Sequence, residues 1–230
     1  MRVRRVALLA ASAMLVWSAT AAATPTPRAV AFRSTDGVTL RGRLWSGGST
    51  AVVFSHMFGT TQSIWFDLAA HLADQGYTAL TFDFRGVGSS SGRLVIRNVY
   101  RDTMAAAAFI RGQRPRKVVL VGASMGGTSS IVAAAHTPVD GLVVIASGTM
   151  FQGLDARPHL DDLRMPKLFI AGSRDAPFNT SARIMYDRSP EPKQLLLVPT
   201  ARHGTYMFYS TRHRDQIYQA ISAFLRRVAR

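Results

Sequence analysis

The chain contains no cysteine. Disulfides, a thiolate nucleophile, cysteine-ligated zinc and iron–sulfur clusters are therefore excluded, whatever compartment the protein occupies. Acidic charge is also scarce: 13 Asp+Glu stand against 28 Lys+Arg, a net charge of +15, and only 18% of residues are charged. That surplus favours anionic surroundings without naming one, and 25 of the 28 cations are arginine, which equally fits a compositional bias. With 47% hydrophobic residues, the 230-residue chain has the length and composition for one large packed domain and not for disorder.

Long apolar runs are missing as well, except at the start. Met1–Arg5 carries three arginines, Val6–Ala19 is almost wholly apolar, and Ala19-Thr20-Ala21-Ala22-Ala23 ends in small residues. This layout predicts a secretory signal peptide over residues 1–23, too short to span a bilayer, with the Sec and twin-arginine routes both open at Arg4-Arg5. Cleavage after Ala23 would remove three arginines and leave 207 residues at +12. No later segment reaches spanning length without a charge, so an exported protein with no membrane span, secreted or periplasmic, is expected.

The remainder, residues 28–230, alternates strand and helix patterns. Ala29–Arg33 and Val38–Trp45 flank Thr35-Asp36-Gly37, a hairpin signal. Strands are predicted at Ala51–Ser55, Thr78–Phe82, Lys117–Val121, Leu142–Ala146, Lys167–Ala171 and Gln194–Val198. Helices are predicted at Ser63–Gln75, Val99–Arg111, Met125–His136, Thr180–Asp187 and Arg214–Val228. Buried Val/Ile/Leu runs separated by helices indicate an α/β domain: a mostly parallel twisted sheet with helices on both faces and an antiparallel N-terminal hairpin.

The chemistry begins at Gly122-Ala123-Ser124-Met125-Gly126, a G-x-S-x-G between a predicted strand and a predicted helix. A serine on so tight a turn points its hydroxyl out of the sheet, and the helix behind it aims free amides at the same place. A serine needs a base. His203 follows a strand and precedes Gly204, whereas His71, His136 and His213 fall on helices and His159 in an irregular stretch. The base needs a carboxylate, and Asp175 follows a strand through Gly172-Ser173-Arg174. Asp161 and Asp162 precede that strand, Asp102 lies on a helix, and Asp83 opens a run, Asp83-Phe84-Arg85-Gly86-Val87-Gly88, that reads as a loop held by its own hydrogen bonds.

Together the serine elbow, Asp83-x-Arg85-Gly86-x-Gly88-x-Ser90, Gly172-Ser173-Arg174-Asp175 and His203-Gly204 resemble the α/β-hydrolase fold superfamily, with the same Ser, Asp, His chain order, from about Arg28 to the C-terminus. The resemblance implies Ser124 as nucleophile, His203 as base and Asp175 as its orienting acid. It also implies an oxyanion hole from the backbone N–H of Met125 and one in the loop Ser55-His56-Met57-Phe58-Gly59, Phe58 or else Met57, since His56-Met57 stands where the family usually has His-Gly. A serine nucleophile implies acyl transfer to water, with no metal and no cofactor. Only 18 residues, Ser147–Arg164, occupy the place of the usual cap, so an open site for a small or polymeric ester is expected. Its rim is expected to draw on Phe58, Trp65, Met125 and Met150, with Phe151, Phe178 and Tyr206. Two other readings stay open: a peptidase resembling the proline-directed serine aminopeptidases of this fold, and a non-catalytic binder of anionic polymer. For the latter, Arg212, His213, Arg214, Arg226, Arg227 and Arg230 cluster near the last helix, but no nucleic-acid motif with interleaved aromatics accompanies them and no nucleic-acid partner is expected.

Overall fold

Strands with one wet face alternate, and strands covered on both faces do not. In the computed structural model, which describes residues Thr26–Arg230, β1 (Arg28–Arg33) and β2 (Thr39–Trp45) alternate exposed and buried positions. They form the expected antiparallel hairpin, turning through Gly37 at φ 85°. The next strands do not alternate, and every residue is buried: β3 (Thr50–Ser55), β4 (Thr78–Phe82) and, past its first residue, β5 (Lys117–Ala123). β6 (Gly141–Ile145) and β9 (Lys167–Gly172) are of the same kind, and β10 (Lys193–Val198) closes the far edge. The residues of the predicted signal peptide lie outside the described part of the chain.

The eight strands run β1-β2-β4-β3-β5-β6-β9-β10, antiparallel at β1–β2 and β2–β4 and parallel elsewhere. Successive residues of β3 divide between two cores. Ala51 and Val53 face one with α2 (Val99–Arg111) and α3 (Met125–His136); Val52 and Phe54 face the other with α1 (Phe66–Asp74) and α5 (Thr211–Val228). The remaining helix, α4 (Phe178–Arg188), covers β9 and β10. From β3 the chain steps outward to β4, then returns to β5 and proceeds the other way. The order therefore reverses between β3 and β5, and the carboxyl ends of such a pair leave a crevice for a site. Among the described residues no helix is long and apolar enough to cross a membrane.

Two expectations are corrected. The helix predicted from Ser63 begins instead as a 3₁₀ turn, Gln62–Trp65, because the Asp83 carboxylate takes both the Gln62 backbone N–H and its Nε2, each at 2.9 Å. That turn sends Trp65 inward against Phe54 and Phe208; it is fully buried and is core, not rim. The Met125 side chain is likewise enclosed in the core behind the elbow. The stretch 147–164 holds no cap helix. It forms a small hairpin of β7 (Met150–Phe151) and β8 (Leu154–Asp155), turning through Gln152 and Gly153 at φ 44° and 84°, followed by a 3₁₀ turn at Arg157–Asp162.

Candidate active site

Ser124 stands between β5 and α3 at φ 51°, ψ −121°, a conformation that non-glycine residues rarely adopt. The surroundings hold it there. Its N–H donates to the Ile145 carbonyl at 2.9 Å, and its own carbonyl accepts from Gly127 and Thr128 at 3.0 and 3.1 Å. The glycines are needed for want of space: a Cβ on Gly122 would overlap the Gly126 carbonyl oxygen, and one on Gly126 the carbonyl oxygens of Ser55 and His56. The turn is thus wedged between β5's own continuation and the loop after β3.

His203 follows β10 by a four-residue loop and leads into a 3₁₀ turn, Gly204–Tyr209. Its Nε2 lies 2.9 Å from Ser124 Oγ, and its Nδ1 lies 2.9 Å from Asp175 Oδ2. With the proton on Nδ1 donated to the carboxylate, Nε2 is free to accept from the hydroxyl. Asp175 is buried in a loop made rigid by Asp175 N–H to the Gly172 carbonyl and Asn179 Nδ2 to the Ser173 carbonyl. The Phe178 ring packs on the imidazole, centroids 4.0 Å apart. Three residues 28 and 79 positions apart in sequence therefore form one hydrogen-bonded chain, part buried and open to solvent at the imidazole.

Met125 is the first residue of α3, so its N–H has no carbonyl one turn back to bond. Across the crevice, Met57–Thr60 forms a tight turn with Gly59 at φ 73°, and the N–H groups of Met57 and Phe58 bond to no acceptor among the described residues. His56 braces this loop from below. Its Nδ1 lies 2.8 Å from the Met57 carbonyl and its Nε2 accepts the Phe84 N–H at 3.1 Å, an arrangement that requires a neutral ring. Burial accordingly pushes its pKa below 6.5. Where a glycine would leave a gap, Met57 lays its thioether under Gly204, and a Cβ on Gly204 would overlap that sulfur.

The rim residues divide. Phe58 and Met150 are exposed, the Phe58 ring lies tilted beside that of Phe151 with centroids at 5.6 Å, and Tyr206 is exposed on the turn after His203. Other histidines are engaged elsewhere: His71 bonds Gln75, and His136 packs against His159. Asp83 accepts from Gln62 and Ser89, so its loop is held partly from outside. Missed by sequence reasoning is an ion cluster beside this loop, buried at Arg85 and Asp102 and open to solvent at Asp36. Arg85 donates two-pronged to Asp102, with contacts of 2.6–3.0 Å, and to Asp36 at 2.7 and 3.1 Å. Hydrogen bonding to Arg85 holds the Asp36 carboxyl at about 2. No local pattern announces three residues from three segments.

Comparison with known proteins places the fold. The chain is 28% identical over 207 residues to the uncharacterized Mycobacterium tuberculosis protein Rv2307c, covering 78% of this chain and 73% of the relative. It is 23% identical over 228 residues to uncharacterized YfhR of Escherichia coli, covering 85% and 79%. Among solved structures, a dienelactone hydrolase from Anabaena variabilis superposes with a TM-score of 0.77 at 22% identity, over 89% of this chain and 99% of that one. The Pyrococcus furiosus esterase Pf2001 gives 0.76 at 19%, over 88% and 91%. The sequence profile of the alpha/beta hydrolase family matches residues 52–227, from the middle of β3 to the end of α5, and with the mostly parallel sheet and the serine elbow at its crevice this chain belongs to that family.

Proposed function

We propose that the protein is an exported serine hydrolase that cleaves carboxylic esters through an acyl-serine. One observation carries the reading: the imidazole of His203 sits 2.9 Å from both the Ser124 hydroxyl and the Asp175 carboxylate. As Ser124 Oγ attacks the ester carbonyl carbon, its proton passes to His203 Nε2, and Asp175 stabilises the imidazolium through the Nδ1 proton. The tetrahedral oxyanion is received by the N–H groups of Met125 and Phe58, each lowering the barrier by roughly 3–4 kcal/mol. His203 then returns the proton to the leaving alkoxide, giving the alcohol and the acyl-serine. A water, deprotonated by the same nitrogen, attacks the acyl carbon; collapse expels Ser124, which regains its proton, and the carboxylic acid departs.

The substrate reading rests on the absence of a cap over 147–164 and on the apolar rim of Phe58, Met150, Phe151, Phe178 and Tyr206, which suit a bulky or surface-bound ester. The neighbours named esterase and dienelactone hydrolase support ester over amide. Export rests on the layout of residues 1–23.

A fluorophosphonate probe should label the wild-type protein, and Ser124→Ala should abolish labelling. Short p-nitrophenyl esters should be hydrolysed faster than aminoacyl p-nitroanilides, and His203→Gln, which removes the acceptor of the serine proton, should abolish turnover. A folded but unlabelled wild type would favour a non-catalytic binder, and the reverse substrate ranking a peptidase. N-terminal sequencing of protein recovered outside the cytoplasm should begin near residue 24.

A further inference from the structure

The loops at the carboxyl ends of the parallel strands carry more than the serine and its partners. Five large apolar side chains are exposed among the described residues, and all but Ile184 belong to this end: Phe58 after β3, Met150 in β7, and Tyr206 and Tyr209 in the turn after His203. Tyr209 is 73% exposed, and Tyr206 lies beside it with ring centroids at 5.6 Å. Apolar side chains scattered singly over a surface need no explanation, whereas several gathered around one site mark a contact surface.

The same loops carry unneutralised cations. Arg93, Arg97, Arg174 and Arg202 are exposed, and none forms an ion pair among the described residues. Arg97 stands against Gly153 in the β7–β8 turn, Arg174 precedes Asp175, and Arg202 precedes His203. The carboxylates near them are committed. Asp83 and Asp175 are buried, Asp155 is held by Arg157, and Asp36 by Arg85. Asp67 and Asp215 line a cavity of about 500 Å³ between α1 and α5, together with Arg214, and Asp67 with Arg214 also lines the smaller one that Tyr209 borders, so the one exposed carboxylate beside Tyr209 has a guanidinium next to it.

We infer that this end of the molecule docks on an anionic lipid surface. Tyr206, Tyr209, Phe58 and Met150 enter the boundary between headgroups and acyl chains, and the arginines face the phosphates. A dissolved anionic polymer would satisfy the guanidinium groups and leave the tyrosines in water; a neutral lipid phase would do the opposite. Only a surface that is both apolar and anionic matches both sets. This deepens the ester reading by placing the substrate at such a surface, and docking itself needs no serine hydroxyl.

The test uses the full chain carrying Ser124→Ala, so that binding is read without hydrolysis, with its fold checked by urea denaturation. Flotation is measured with vesicles of phosphatidylcholine alone and with about a third phosphatidylglycerol, in about 0.1 M salt. Partitioning should require phosphatidylglycerol and weaken at about 1 M salt, where the screening length shrinks to about 3 Å. Adding Arg97→Gln and Arg202→Gln should weaken it roughly fivefold per arginine. A charge-matched control, Arg114→Gln with Arg116→Gln in the loop before β5 at the opposite end of the sheet, should leave it unchanged, and Tyr209→Ser should lower it several-fold. The inference is overturned by no binding to either vesicle, by equal loss in the control pair, or by indifference to Tyr209→Ser with full competition by a soluble polyanion. Fluorophosphonate labelling of the wild type reports the chemistry separately, so failure of docking and failure of the hydrolytic reading are distinguishable.

Discussion

The backbone at Ser124 stores strain that a pair of substitutions should expose. At φ 51°, ψ −121° the Cβ is crowded by its own backbone, and a non-glycine residue held in such a region costs on the order of 1–3 kcal/mol. Relaxation is blocked from both sides. The Ser124 N–H is tied to Ile145, its carbonyl to Gly127 and Thr128, and the flanking Gly122 and Gly126 touch backbone that cannot move aside. Ser124→Ala and Ser124→Gly both lose the hydroxyl and its hydrogen bond to His203, so that loss cancels between them. They differ in the Cβ: alanine keeps the crowding, and glycine removes it. Against this relief stands the greater freedom of glycine in the unfolded chain, about 0.5–1 kcal/mol.

The glycine variant should therefore be the more stable of the two by about 0.5–2 kcal/mol, the reverse of the order at an unstrained position. For a domain of this size that is roughly 2–6 °C in Tm. Urea denaturation at neutral pH, compared at equal m, measures the difference directly, and both variants should be inert towards esters and fluorophosphonate. An alanine variant as stable as the glycine variant, or more so, would show that the strain does not reside at this Cβ and that the elbow is not held as tightly as its contacts indicate.

Two further outcomes concern buried charge. Asp102→Ala removes a fully buried carboxylate from Arg85, itself buried, and should destabilise the fold by about 3–5 kcal/mol, whereas Asp161→Ala, which breaks the exposed pair with Arg188, should leave the urea midpoint unchanged. The neutral, buried His56 makes stability depend on pH with a definite sign. Its folded pKa lies below the unfolded 6.5, so the unfolded chain binds the extra proton first as pH falls; stability is full above about 6.5 and declines below it, by up to about 1.4 kcal/mol per pH unit. His159, lowered by burial and by His136, acts in the same direction. Thermal unfolding from pH 8 to 5 checks this, and a Tm that stays level or rises on acidification would contradict it.

What could be read from the sequence, and what could not, follows from how far apart the interacting residues lie. Strands such as Val52–Phe54 and Val118–Val121 are apolar without interruption because both of their faces are covered, so the run itself announces a central parallel strand. Gly122 and Gly126 announce the elbow for the same kind of reason: the clash that forbids a side chain lies within a few residues or in the neighbouring strand. Asp175 and His203 were identifiable because each follows a strand, and parallel strands bring their carboxyl ends to one edge of the sheet. Trp65 was misplaced because an aromatic side chain suits a wet rim and a dry core equally, and the choice was made by Asp83 seizing Gln62 from 21 positions away. The Arg85 cluster spans Asp36, Arg85 and Asp102 with no periodicity to connect them; the ions meet only after β1–β2, β4 and α2 have been packed together. Met57 shows the same limit at the site itself. In the sequence it is a departure from the usual glycine, and only the fold reveals that its sulfur fills the space Gly204 leaves vacant, joining the loop after β3 to the turn that carries His203.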